Sequence, residues 1–233
     1  MAVVNRTAVV VPLDVMRMIQ PPLKSDNALR VANATDYIVL PTTWLWGSKW
    51  TCFFKAKINS TPNSAARLIS NDSEEIILTV TGIKVSQGGG NAQSGAGVLV
   101  LGEWHDYAIV YDGKFLRFYR DMAPVDAKAL TTNPSTNLWG WTVFNNPAKT
   151  RNCDMDVTRF QFYSNRAFSP IEIVAHYRSN PNDKLNQSLY LKLNEGKNAT
   201  AFDSSGNGRD APITNSSWTT FSIEQPLTTY DNR

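Results

Sequence analysis

Short runs of β-branched and aromatic residues, separated by turn residues, recur along the chain from residue 28 onward. This alternation is typical of an antiparallel sandwich, because each strand buries one face and returns through a tight turn. The pattern predicts strands over residues 29–31, 37–40, 49–58, 66–70, 76–80, 84–87, 97–101, 104–112, 114–121, 141–144, 157–164 and 188–193. The predicted fold class is all-β: two antiparallel sheets with one short helix.

Residues 49–58 carry the clearest strand pattern. Positions 50, 52, 54, 56 and 58 are apolar and share one strand face, whereas Lys55 and Lys57 lie on the other. One face is therefore predicted to form core and the other to be exposed to solvent. Farther along, Asp112-Gly113 predicts a hairpin with a type I′ turn, since that turn needs positive φ at both central residues.

One helix is predicted, and it begins after Ser169. Ser169 is a capping residue, Pro170 fits the first helical position, and Glu172 reaches back to the cap amide. We expect this helix to end near Tyr177. The glycines at 88–90, 95 and 97 predict a mobile loop, because neither a helix pattern nor Gly-Lys-Ser/Thr follows them.

The length of 233 residues is ordinary for one large sandwich. We predict an extended N-terminal arm (1–25), the sandwich (26–221) and a C-terminal tail (222–233). The prolines in the arm prevent a long helix, so its apolar residues are predicted to lie on the sandwich or on a neighbouring chain. These candidate assembly residues are Val9, Val10, Val11, Leu13, Met16, Met18 and Ile19, and they predict a homo-oligomer or other protein partners.

Charge and cysteine content exclude several classes of function. The net charge of +3 is small and the basic residues are scattered, so nucleic acid is not expected as a partner. No stretch approaches the ~20 apolar residues of a membrane span, and no secretory signal is evident in residues 1–15. Cys52 and Cys153 lack metal-ligand spacing; a disulfide and two buried thiols both remain open.

Several segments, in order, resemble the laminin G-like/concanavalin A-like lectin and glucanase superfamily. Residues 26–41 are similar to its opening strands, and residues 103–113 (EWHDYAIVYDG) to its Trp-His hairpin, with Met122 replacing the usual Gly after Asp121. Residues 154–163 followed by 165–173 (NRAFSPIEI) resemble its late strand running into its short capped helix. Residues 193–196 and 203–208 (DSSGNG) resemble an element usually found at the start of such domains, so a rotated chain order or an added terminal strand is expected. The resemblance implies a jelly-roll of two curved sheets, often with sugar-binding loops.

Catalysis is not expected. The Glu-x-Asp-x-x-Glu strand of the family's glucanases is absent, and Asp154 and Asp156, which share one strand face, are interpreted as a solvated strand entrance. His105 and His176 are the only histidines, and no Gly-x-Ser-x-Gly motif accompanies them. We interpret His105 as structural and His176 as a residue of the last helical turn.

Two kinds of binding site are predicted. Exposed aromatic rings beside fixed polar groups would bind sugar, and the candidates are Trp44, Trp46, Trp139, Trp141, Asn145 and Asn146. No cofactor is required, but calcium is a candidate, since the resemblance and the alternating oxygen-bearing residues Asp203, Ser205, Asn207 and Asp210 suggest a calcium loop. An Asx-type turn is the preferred alternative for that loop.

Three hypotheses of function follow. The first hypothesis is a non-catalytic virion structural or capsid-decorating protein, as in a phage, because this role accounts for the apolar arm. The protein would then lie on the virion surface, and adhesion to glycans is compatible with that location. The second is a carbohydrate-binding module of an extracellular or cell-surface protein. The third is a glucanase- or lyase-type enzyme.

Overall fold

The computed structural model describes residues 24–61, 65–136, 138, 140–179 and 184–223 as two antiparallel sheets and one helix. Eight strands form sheet A: β1 (Lys24–Val31), β3 (Trp50–Ser60), β8 (Trp104–Tyr111), β9 (Phe115–Arg120), β10 (Ala123–Ala129), β12 (Asp154–Ser164), β13 (Gln187–Leu191) and β16 (Ser217–Ile223). Eight form sheet B: β2 (Tyr37–Val39), β4 (Ala66–Ser70), β5 (Glu75–Thr79), β6 (Gly82–Gln87), β7 (Gly90–Gln93), β11 (Thr142–Val143), β14 (Thr200–Ala201) and β15 (Ala211–Thr214). The helix is α1 (Pro170–Ser179).

The strand order is that of a sandwich with many crossovers between its layers. Sheet A runs β10-β9-β8-β3-β12-β1-β16, with β13 also paired to β12, and sheet B runs β14-β15-β2-β11-β4-β5-β6-β7. The chain divides into a compact unit of Asn27–Thr219 and a second unit of Met1–Asp26 and Thr220–Arg233. Of the second unit, the structure describes only residues 24–26 and 220–223. Within the described residues, no helix is long and apolar enough to span a membrane.

The main core lies between the sheets. The predicted inward face of β3 is confirmed, because Trp50, Cys52, Phe54, Ala56 and Ile58 are all fully buried. They pack with inward residues of sheet B into one hydrophobic cluster. Burying this many large side chains supplies the main driving force for folding.

The other face of sheet A is not exposed to solvent along its whole length. Helix α1 covers part of it, where Phe53, Ala108, Tyr119 and Ile173 belong to a second buried cluster. Ser169 starts the helix as predicted: its hydroxyl and amide both donate to Glu172 Oε2, at 2.7 and 2.8 Å. The prediction of a wholly wet outer face is therefore wrong under the helix.

The turns that follow β8 and β9 do not have the backbone conformations that the sequence suggests. The hairpin at residues 112–113 is confirmed, but positive φ occurs only at Gly113 (+100°), so a type I′ turn is wrong there. The Asp112 carboxylate instead accepts from the Lys114 and Phe115 amides. In the next turn, Asp121 (+49°) and Met122 (+71°) both have positive φ, the type I′ requirement, without a glycine.

Some other boundaries differ from prediction. Residues 97–101 form turns and bends rather than a strand, because glycines at 95, 97 and 102 interrupt the run and place Leu101 in solvent. Part of the predicted mobile glycine loop is strand β7, which pairs with β6. Strands β10, β14 and β15 carry weak patterns and were not predicted. Strand β16 was not predicted either, although its sequence SWTTFSI is rich in strand-forming residues.

The two cysteines are free and buried in the sandwich. Burial raises the pKa of the Cys52 thiol and of the Cys153 thiol. Cys153 Sγ donates to the Arg67 carbonyl over 3.0 Å. Of the two alternatives that the sequence leaves open, the structure has two buried thiols.

Candidate functional site

A row of polar side chains with one tryptophan crosses four neighbouring strands on the outer face of sheet A. Arg30 of β1 is paired with Asp156 of β12, Asp156 with Lys57 of β3, and Lys57 with Trp104 of β8. Directly paired residues of antiparallel strands project to the same face of a sheet. We call these four residues the charged strip; each of them is half-buried.

Ion pairs fix one end of the charged strip. Arg30 Nη2 lies 2.7 Å from Asp154 Oδ1, and Arg30 Nη1 lies 3.4 Å from Asp156 Oδ1. The Ser60 hydroxyl donates to the other Asp154 oxygen over 2.7 Å. The Arg30 side chain keeps 32% of its surface exposed, so this end is ordered yet open to solvent.

In the next row toward helix α1, Asp106 and Arg159 are more deeply buried and pair with each other. Asp106 forms an ion pair with Arg159 and lies 3.7 Å from Lys55 Nζ. Burial of the Tyr177 hydroxyl of α1 and the negative charges of Asp106 and Asp121 raise the pKa of Tyr177 to about 12. Asp106 is therefore occupied by the protein's own donors.

A cleft of about 250 Å³, counting its open mouth, lies where α1 meets the sheet. Asp106, Met122, Arg159, His176 and Tyr177 are among its lining residues. Because that volume includes open solvent at the mouth, the enclosed part of the cleft is too small for a sugar chain. Its charged groups already pair with each other.

The predicted sugar-binding tryptophans are not surface residues. Trp44, Trp46 and Trp141 are at most 4% exposed and pack on one another, with Trp46 stacked on Trp141 at a centroid distance of 5.2 Å. The expectation of exposed rings is wrong for these three, because flanking loops fold them between the sheets. Trp139 lies outside the described residues.

Asn145 and Asn146 shape a loop. Asn145 Nδ2 donates to the Ala34 carbonyl over 2.7 Å, and its Oδ1 accepts from the Arg151 amide over 3.0 Å. Asn146 Oδ1 accepts from the Thr150 amide over 2.8 Å. Both asparagines are buried, so the expectation that they lie beside an exposed sugar site is also wrong.

The predicted calcium residues come together in one loop. Asp203 accepts from the Ser205 and Arg209 amides, Asp210 accepts from the Asp203 amide, and Asn207 donates to the Gln187 carbonyl. These are the contacts of the Asx-type alternative. Among the described residues, no group of three or more His, Cys, Asp or Glu side chains is placed to hold a metal. Calcium at this loop stays a prediction.

Both histidines have structural contacts. His105 Nδ1 lies 2.6 Å from Asp121 Oδ2, across the β8–β9 pair. His176 is buried, stacks on Phe53 at a centroid distance of 4.0 Å, and hydrogen-bonds Gln161 over 2.8 Å. The predicted assembly arm, from Val9 to Ile19, lies outside the described residues.

The charged strip was not predicted from the sequence, although its components were visible. Lys55 and Lys57 alternate on one strand, as do Asp154 and Asp156 on another, and Trp104 lies in the recognised hairpin motif. Only the strand order brings these distant segments side by side. A search for charged residues at alternate strand positions would have found them.

Solved structures support the two-sheet architecture. A putative carbohydrate binding protein from Bacteroides ovatus superposes with a TM-score of 0.67 and 14% identity, covering 88% of this chain and 62% of that one. A heptameric SAP-like pentraxin from Limulus polyphemus gives 0.58 and 7%, covering 85% and 96%. Domain 4 of an extracellular arabinanase from Geobacillus stearothermophilus, in complex with arabinotriose, gives 0.52 and 12%, covering 64% and 76%. The chain thus spans less than two thirds of the first of these proteins.

Sequence comparison gives the family. No curated protein matches the chain significantly. A family model described as the concanavalin A-like lectin/glucanases superfamily matches residues 32–174, more than half of the chain. With the two antiparallel sheets and the capped helix, that match assigns the protein: it belongs to the concanavalin A-like lectin/glucanases superfamily.

Proposed function

We propose that the protein is a non-catalytic carbohydrate-binding module and that the charged strip is its binding surface. The observation that carries this proposal is the register of Arg30, Asp156, Lys57 and Trp104 on the part of sheet A that α1 leaves uncovered. Asp156 accepts from sugar hydroxyls and Lys57 donates to sugar oxygens. Trp104 supplies the aromatic surface on which the apolar face of a sugar ring packs.

The similar structures are consistent with this function. One is named a putative carbohydrate binding protein, and another is an arabinanase domain in complex with arabinotriose. Their identities to this chain are low, so they support a sugar-binding role without indicating which residues bind. An extracellular or surface location fits such a role.

The acidic residues of the strip argue against glycoside hydrolysis. That chemistry needs two carboxyl groups facing each other across one glycosidic bond, one of them as the acid. Asp154 and Asp156 are neighbours on one strand and share the Arg30 guanidinium. This arrangement suits binding better than proton transfer.

The virion role remains a prediction that is compatible with sugar binding. In that role, the arm of residues 1–25 would contact other virion chains. Deleting the arm should then abolish incorporation into particles while leaving the sandwich folded. Normal incorporation of the truncated chain would contradict it.

A glycan array tests the proposed function with charge-matched variants. Lys57→Ala and Asp156→Asn should each lower binding at least tenfold. Lys84→Ala and Asp72→Asn, on sheet B and its β4–β5 turn, should leave binding unchanged. If no glycan binds the wild type, the function is wrong; if all four variants bind alike, the site is wrong. Release of new reducing ends from polysaccharide would indicate an enzyme.

A further inference from the structure

We infer that the charged strip binds a neutral oligosaccharide that lies across the strands and occupies three adjacent subsites. This inference rests on the proposed function, and it adds the class, direction and length of the ligand. Its basis is the geometry of the strip, whose residues come from four consecutive strands of one sheet.

The spacing of strands sets the length of the site. Neighbouring strands lie ~4.8 Å apart, so the three steps from β1 to β8 span roughly 14 Å. A sugar ring is about as wide as one such step, and three rings therefore match the strip. A ligand lying along β8 would leave Trp104 within one step of the strand and reach Asp106, which Arg159 already engages.

The three subsites differ in chemistry. Trp104 forms the first, where ring stacking needs no fixed hydroxyl pattern. Lys57 and Asp156 form the second, with a donor on one strand and an acceptor on the next. Arg30, held by Asp154, forms the third and offers guanidinium N–H groups in a fixed plane.

The charges of the strip favour a neutral ligand. A sugar diol donates to Asp156 and accepts from Lys57 at the same time, so it satisfies both groups. A sugar carboxylate can only accept; it would pair with Lys57 and leave Asp156 facing a like charge. Arg30 cannot compensate fully, because two aspartates already engage its guanidinium.

Ion pairs fix the row of Asp106, Arg159 and Lys55 that lies beside the strip. Lys55, which lies two residues from Lys57 on β3, is within 3.7 Å of Asp106, and Asp106 is held by Arg159. Strand-borne side chains backed by ion pairs lose less conformational freedom on binding than loop residues do. The site is therefore expected to need little rearrangement.

Isothermal titration of the full chain tests the inference. The neutral probes are gluco-, xylo-, manno- and arabino-oligosaccharides of one to four units, and the acidic probes are oligogalacturonates and oligoalginates of the same lengths. Affinity should rise at least tenfold from one unit to three and change less than twofold from three to four. Acidic probes should bind at least tenfold more weakly than the best neutral series.

Variants locate the subsites. Arg30→Gln should weaken the trisaccharide about tenfold and leave the disaccharide unchanged, whereas Trp104→Ala should weaken every length. Lys84→Gln is the matched control, and circular dichroism checks that each variant folds. If Arg30→Gln fails to fold, Lys57→Gln replaces it. Lys57→Gln should weaken the binding of every probe of two or more units.

The outcomes separate the inference from the proposed function. Tighter binding of acidic probes, or affinity that does not rise with probe length, overturns the inference. If strip variants still reduce binding in that case, the proposed function stands. Binding that no strip variant reduces overturns the inference and the assignment of the strip as the site, whereas no binding of any probe or array glycan overturns the proposed function itself.

Discussion

The outer face of sheet A has two halves that share the same strands but differ in what covers them. In β3, Phe53 is buried beneath helix α1, whereas Lys55 and Lys57, farther along the same face, remain partly exposed. In β8, Ala108 is buried and Trp104 is half-buried. Strand periodicity decides which face a residue joins, and the helix decides whether that part of the face becomes core or stays partly exposed.

The largest expected effect is in the covered half. Phe53→Ala should destabilise the protein by about 3–5 kcal/mol, because it leaves a cavity between the sheet and the helix. Lys57→Ala, on the same face, should change stability by less than ~0.5 kcal/mol. Urea denaturation measures both, and equal effects would break the distinction between the halves.

Next in size is the boundary between the two halves. Asp106→Asn should cost about 2 kcal/mol, because it leaves the Arg159 guanidinium buried without its carboxylate. The same change at Asp156, in the more open half, should cost well under half as much. Thermal unfolding of the two variants would show whether the distinction follows burial of the charge.

A smaller effect concerns the start of the helix that creates the covered half. Ser169→Ala should cost about 1 kcal/mol, since it removes the capping hydroxyl. Hydrogen exchange should show faster exchange at amides of α1 and unchanged rates in β1 and β12 near Arg30. Uniform acceleration over both regions would contradict the idea that the helix opens separately.

The prediction with the least effect near neutral pH is a pH dependence confined to the covered half, because it develops only above about pH 10. The pKa of Tyr177 is raised to about 12 by burial and nearby carboxylates, so its protonated form is favoured in the folded state. The contribution of Tyr177 is therefore fully present below its unfolded pKa of about 10 and is lost as pH rises toward 12. The stability difference between wild type and Tyr177→Phe should be constant up to about pH 10 and then shift against the wild type. A difference that stays constant to pH 12 would contradict this account.

Local signals allowed parts of the fold to be predicted. The alternation in β3 and the capping box of α1 depend on residues close in sequence, and both were identified correctly. Strands β14 and β15 are short and rich in weak formers, so pairing rather than propensity creates them. The type I′ turn at Asp121–Met122 was missed because its second residue is not a glycine.

The candidate site could not be predicted because it depends on strand order. Trp46 and Trp141 follow loop signals but stack inside the core, whereas Trp104 lies in a strand and on the surface. Sequence alone does not indicate that β1, β12, β3 and β8 are neighbours, since they are separated by many residues. The resemblance to the superfamily gave the architecture but not the strip.

The unpaired cysteines have a practical consequence for this protein. Neither Cys52 nor Cys153 contributes a covalent cross-link, and both sulfur atoms are shielded from solvent. The native state then gains nothing from an oxidising environment, and a reductant such as dithiothreitol has no bond to break. The sandwich should reach and keep its native state equally well in reducing and oxidising compartments.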